Sequence, residues 1–192
     1  METFVWDQHF TTGIEQVDTQ HQQLVHLINR LGSARIEGAT GELDTLQAAF
    51  DQLADYARHH FADEQRLMLE AGLASRYRDS HHRHHADFVA QLSKMWQARG
   101  STSNPAEVLH GFLRSWLGFH ILGEDQSMAR QMLLIRSGKS PDEAYALDQA
   151  RDDNATNALL QAITTLYRVL TQQNADLVAA NLVLEQRVDA RT

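Results

Sequence analysis

The chain has 192 residues, with 25 Asp plus Glu against 17 Lys plus Arg, a net charge of −8, and 43% hydrophobic residues. This apolar content is too high for a disordered chain, and the length fits one domain or one domain with an extension. The acidic balance argues against a nucleic-acid binder, and the absence of cysteine excludes disulfides and thiolate-held zinc or iron–sulfur centres. Neither a leader of the signal-peptide type nor an apolar run of about 18 residues is present, so a soluble, cytoplasmic protein is expected, without membrane or nucleic-acid partners. All 11 histidines lie at or before His120.

The first predicted helix starts near Asp18, read as its N-cap, and carries His21, Leu24, Ile28 and Leu31 on one face. A second runs from about Glu42 to Glu70. Its stripe Leu43, Leu46, Phe50, Leu53 and Ala57 is apolar until it meets His60 and Glu64 at core-facing positions. A third spans about Arg76 to Arg99, with His81, His85, Phe88 or Val89, Leu92, and Met95 or Trp96 inward. The fourth opens at Asn104-Pro105, cap followed by N1 proline, and carries Leu109, Leu113, Trp116 and His120. Glycines separate these segments, and none shows the period-two alternation of a strand. The expected fold is all-α, an up-down-up-down four-helix bundle over residues 1–137.

From Gly138 the composition changes. Residues 142–192 lack Gly, Pro, His and Trp and read as a long helix. Ile163, Leu170, Leu177 and Leu184 recur every seven residues. Taken as d positions, they put Leu160, Tyr167, Asn174, Asn181 and Val188 at a, with Glu185 at e and Arg187 at g. Leucine at d with asparagine at a is the pattern of a parallel two-stranded coiled coil. Residues 138–192 are therefore expected to form a connector and a signalling helix that makes a homodimer through residues 155–192. The alternative is a helix folded back on the bundle.

The histidines on the inward stripes carry the chemistry. The pairs His60/Glu64 and His81/His85 are spaced i, i+4, so each pair points into one part of the core. Buried imidazoles and carboxylates without a cation would be unsatisfied; with one they are ligands. The donor set suits iron, zinc, copper or manganese, and its size exceeds a four-ligand zinc site, which points to two metals. Near His120, helical geometry selects Glu124 as the partner, because a residue at i+5 lies about 140° away on an ideal helix. The remaining histidines, His9, His26, His59, His82, His84 and His110, fall off this pattern and are expected to be surface or ordinary helix residues. Met68, Met95, Met128 and Met132 read as core filler.

Taken in order, the motifs resemble a bacterial hemerythrin domain over roughly residues 1–137. They are Trp6, Gly13-Ile14 and Asp18-Thr19-Gln20-His21; His60-Phe61-Ala62-Asp63-Glu64; His81-His82-Arg83-His84-His85; and Trp116-Leu117-Gly118-Phe119-His120-Ile121 followed by Asp125. The resemblance implies a non-haem di-iron centre. His81, His85 and His120 would hold one iron and His21 and His60 the other. Glu64 and Asp125 would bridge both, beside an oxo or hydroxo bridge, so one iron has six ligands and the other five with a position open for O2. It also chooses Asp125 over Glu124, which a locally widened turn would allow. Leu24, Trp116, Leu117 and Ile121 would wall the O2 pocket and limit water and proton access.

The tail resembles signalling helices that lead into diguanylate cyclases, the enzymes of c-di-GMP signalling, or histidine kinases. The favoured function is thus an oxygen or redox sensor without catalytic activity of its own in the visible chain. The alternatives are a stand-alone O2 carrier or store, a di-iron enzyme acting on peroxide or nitric oxide, and a histidine-rich bundle filled with zinc.

Overall fold

A computed structural model describes residues 3–33, 42–101 and 104–150 of the chain. Among these residues every regular element is helical: α1 Glu15–Ser33, α2 Glu42–Glu70, α3 Ser75–Gln97, α4 Pro105–His120, α5 Gln126–Arg136 and α6 Pro141–Ala150. A π turn, Ile121–Asp125, joins α4 to α5. Helix α1 packs on α2 and α4, and α3 packs on the same two, which is the cyclic neighbour pattern of the expected bundle. The heptads of the predicted coiled coil, and the homodimer drawn through them, lie outside the described residues.

The starts of these helices follow from short polar signals. Asn104 caps α4 by accepting from the Glu107 N–H, with Pro105 in the first turn, as the sequence leads one to expect. Asp18 differs from its expected role. Helix α1 begins at Glu15, and the Asp18 carboxylate reaches back from inside the helix. It accepts from the Thr12 N–H at 2.7 Å, the Thr12 hydroxyl at 2.8 Å and the Gly13 N–H at 3.0 Å. The chain reverses there through Gly13 at φ +83, so the donors needing a partner lie upstream of the helix.

The apolar side chains form two clusters. The larger contains Leu24, Ile28, Leu31, Phe50, Leu53, Phe88, Leu113 and Leu117, and the smaller Val17, Met68, Leu73, Tyr77, Met128 and Met132. Between Val17 and Leu24 on α1 sits His21, and between Ala57 and Met68 on α2 sit His60 and Glu64. The histidines therefore form a polar layer held between two apolar ones. Each helix contributes a turn or so of its inward stripe to that layer.

The segment after α5 turns back. Gly138, at φ +95, ends α5, and Lys139 N–H donates to Leu134 O at 3.1 Å. Ser140 and Glu143 then form a reciprocal cap: Glu143 Oε2 accepts from the Ser140 N–H at 2.9 Å, and Ser140 Oγ from the Glu143 N–H at 3.3 Å. The resulting α6 lies on α5 with Ala144 and Asp148 buried. Asp148 accepts from Arg130 Nε at 2.6 Å and from the Ser127 hydroxyl.

One close approach gives a stability test. His110 on α4 is buried against Gly32 on α1, where a Cβ would come within 2.5 Å of the His110 ring. Glycine to alanine in a helix ordinarily gains up to about 1 kcal/mol. Here overpacking reverses the sign, and Gly32→Ala should cost roughly 1–3 kcal/mol in urea unfolding. A Gly32→Ala/His110→Ala double variant should recover part of that cost relative to the sum of the singles; strict additivity would contradict the contact.

Candidate metal centre

Seven of the residues singled out in the sequence converge in the polar layer. His21, His60, Glu64, His81 and Asp125 are fully buried, and His85 and His120 nearly so. All five imidazoles present Nε2 to the interior. The two carboxylates sort them. Glu64 Oε1 lies 3.4 Å from His60 and 3.7 Å from His21, while its Oε2 lies 3.3 Å from His85. Asp125 Oδ2 lies 3.2 Å from His21, and its Oδ1 lies 3.1 Å from His81 and 3.2 Å from His120. Each carboxylate thus turns one oxygen toward the pair His21/His60 and the other toward the trio His81/His85/His120.

The side chains fit a cation better than they fit each other. At metal–ligand distances of about 2.0–2.2 Å, two donors sharing one ion stand roughly 3–4 Å apart, the range found here. One ligand atom each from Glu64, His81, His85 and His120 lie within 4.8 Å of one another, and so do those of His21, His60 and Glu64. Despite the short distances, His21 Nε2, His60 Nε2, both Glu64 oxygens and Asp125 Oδ2 have no hydrogen-bond partner among the described residues. Such a concentration of buried, unsatisfied polar atoms is costly in a layer made only of protein.

The electrostatics agree. Burial opposes the charge of Asp125, yet His120, His21 and His81 outweigh it and hold the carboxyl well below its usual range. Burial also opposes protonation of His21, but Asp125 and Glu64 raise it to about 9. His85 is pushed down, by burial first and then by His120 and His81. The two carboxylates demand positive charge that the crowded imidazoles supply unevenly. A cation answers that demand without protonating nitrogen.

The π turn explains how Asp125 enters. Its extra residue brings position i+5 from His120 onto the inward face, where a regular helix would bring Glu124. Glu124 instead faces outward, with His84 Nδ1 at 3.1 Å. The Tyr77 hydroxyl, on α3, donates to the Glu124 carbonyl within this turn. Tyr77 is buried, and burial and then Glu124 raise its pKa well above the ordinary value.

Beside the layer lies a small apolar void. Leu24, Trp116 and Leu117 line it, together with Phe61, Ala57 and Phe88 among others. Ile121, placed in the same pocket by the sequence reading, is fully buried in the larger apolar cluster and does not line the void. Phe61, in the sequence only a spacer between His60 and Glu64, stacks its ring on His85 with centroids 3.8 Å apart. Trp116 stacks on His120 at 4.4 Å. Gln20, in the sequence only a neighbour of His21, contacts His60 directly. Its position next to His21 was visible, but the α1–α2 packing that aims it was not. Of the other histidines, His9, His26, His59, His82 and His84 are exposed, and His110 is packed between α4 and α1.

Fold and site together define a helical-bundle protein with a buried imidazole–carboxylate cluster of the kind that holds a cation. The chain belongs to the hemerythrin family: residues 12–132 match the family described as Hemerythrin HHE cation binding domain. Among similar proteins, Bacteriohemerythrin of Stenotrophomonas maltophilia is 30% identical over 135 residues, covering 69% of this chain and 83% of that protein. Bacteriohemerythrin of Pseudomonas aeruginosa is 31% identical over 125 residues, 65% of this chain and 78% of the relative. Myohemerythrin of Riftia pachyptila is 28% identical over 122 residues, 64% and 88% of the two chains. No solved structure gives a significant match. Among the described residues no helix is long and apolar enough to cross a membrane.

Proposed function

We propose that the chain holds two non-haem iron ions and binds O2 at them, and that residues 138–192 relay the state of the centre as an oxygen or redox sensor. The observation that carries the metal reading is the sorting of five imidazoles by two carboxylates into a pair and a trio. His21 and His60 would hold one iron, His81, His85 and His120 the other, and Glu64 and Asp125 would bridge. A reduced di-iron pair supplies the electrons by which O2 is held reversibly. The protein's own part is to set the donors and exclude water. Leu24, Phe61, Trp116 and Leu117 keep the adjoining void apolar, which favours a small apolar ligand and slows entry of water and protons. The donor set is richer in imidazole than the Glu-x-x-His sites of ferritin-like bundles, which supports binding over oxidase chemistry.

The relay reading is supported by the seating of α6. Tyr77 stands between the centre and α6, with its ring 5.8 Å from His81 and 6.4 Å from Tyr145. Arg76 reinforces this seat, its guanidinium 4.1 Å above the Tyr145 ring and 2.9 Å from Asp142. A change at Asp125 or His81 would have a short route to α6 through Tyr77, beside the direct bonds of Asp148 to Ser127 and Arg130 on α5. Coupling of this kind is worth about 1–3 kcal/mol in favourable cases.

Optical titration of the reduced protein with O2, together with amide exchange of α6 in the reduced and oxidised states, tests both halves. The sensor reading expects a reversible spectral change and altered exchange over Pro141–Ala150, with the alteration diminished in Tyr77→Phe. Reversible O2 binding with identical α6 exchange would leave a carrier or store. Steady-state consumption of peroxide or nitric oxide with a reductant would identify an enzyme.

A further inference from the structure

We propose that Gln20 is a positioning residue for His60, fixing its ring tautomer and passing to it the charge of Asp63. The inference rests on reading the buried cluster as a metal centre. Three side chains form the relay. His60 presents Nε2 to Glu64 Oε1 at 3.4 Å and turns Nδ1 the other way, 2.9 Å from Gln20 Oε1. The Gln20 amide nitrogen donates to Asp63 Oδ2 at 2.7 Å. Asp63 in turn accepts from Gln16 Nε2 and from Arg66, both at 3.1 Å, at the edge of the bundle.

The chemistry of the groups sets the direction of every bond. An ionised carboxylate only accepts, so Asp63 must face the amide NH2 of Gln20. That leaves the amide oxygen on His60, and an oxygen there requires the ring proton on Nδ1. Nε2 then keeps its lone pair pointed into the cluster, the form in which imidazole binds a cation. An isolated glutamine amide could turn over and present NH2 to the ring; here Asp63 forbids it. His21 and His81, by contrast, have no hydrogen-bond partner for Nδ1 among the described residues. Adjacent residues of α1 therefore supply one ligand, His21, and the residue that orients a second ligand on α2. The same bond draws electron density toward Nε2, so it should strengthen the metal bond and favour the more oxidised ion.

The 192-residue chain tests this with Fe(II) and Zn(II) as separate probes, by competition with a chelator, and by the midpoint potential of the iron-loaded protein. Gln20→Leu should bind either metal roughly 10–100-fold more weakly and raise the potential. Asp63→Asn, which frees the amide to turn, should shift both in the same direction by less. A Gln20→Glu/Asp63→Asn double variant restores a fixed acceptor on His60 Nδ1 and should recover the binding lost in Asp63→Asn, whereas a role in packing alone predicts no loss in that isosteric single variant. Gln20→Leu that folds and binds as tightly as the unmodified chain, at the same potential, overturns the proposal. Should Gln20→Leu fail to fold, an unaltered potential and affinity in Asp63→Asn overturns it, as does a loss in Asp63→Asn that the double variant does not recover. If the unmodified chain and His60→Ala bind the probes equally, the metal-centre reading itself falls and takes this inference with it.

Discussion

Replacing Asp125 with alanine is expected to abolish stable metal loading, whereas Glu124→Ala should load normally. The two carboxylates are neighbours in sequence, yet the π turn sends Asp125 to three imidazoles and Glu124 outward to His84. Losing a residue that merely supports a metal ligand typically costs 10–100-fold in affinity, and losing a ligand shared by two ions should exceed about 100-fold. Chelator competition measures this directly. In the metal-free protein the same change also removes the carboxylate that most strongly balances His21 and His81, so their protonated forms lose support. Equal metal affinity in the two variants would show that Asp125 is not a ligand.

The second large effect is expected at Phe61, which is buried in contact with His85, Phe88 and Trp116. Truncation to alanine removes an entire buried ring next to an existing void, and such changes cost roughly 3–5 kcal/mol. Against a total stability of about 5–15 kcal/mol this is large, and urea unfolding will register it at once. The ring also lines the apolar void and stacks on His85 of the histidine trio. Phe61→Ala should therefore speed oxidation of the reduced, iron-loaded protein as well as destabilise it. Phe61→Leu, which keeps most of the apolar volume, should show much less of both. Unfolding midpoints and oxidation rates matching those of the unmodified chain would remove Phe61 from this role.

Much of this architecture is legible before any coordinates exist, for a physical reason. An apolar stripe that abruptly carries His60 and Glu64 breaks the rule that cores are apolar, and four helices breaking it at one level imply a common cause. Local capping chemistry is equally readable at Asn104-Pro105. What the sequence hides is what depends on packing between elements or on departures from an ideal helix. Helical spacing alone favours Glu124 over Asp125, and only the resemblance favoured the residue that the π turn brings inward. Asp18 has the composition of an N-cap, but the reversal at Gly13 places its donors upstream. Gln20 is an ordinary polar residue until α2 brings His60 and Asp63 to either side of it. The seating of α6 is a mixed case: Ser140-Pro141-Asp142-Glu143 announces a helix start, while the burial of Asp148 against Ser127 and Arg130 needs the turn at Gly138 to be known.

Metal content, together with the optical spectrum of the chain, decides whether the buried layer is a dinuclear metal centre built by seven side chains. Two irons per chain are expected, with a charge-transfer spectrum from the bridged pair in the oxidised state that disappears in His60→Ala. A single zinc, no tightly held metal, or an iron spectrum unchanged in His60→Ala would contradict it.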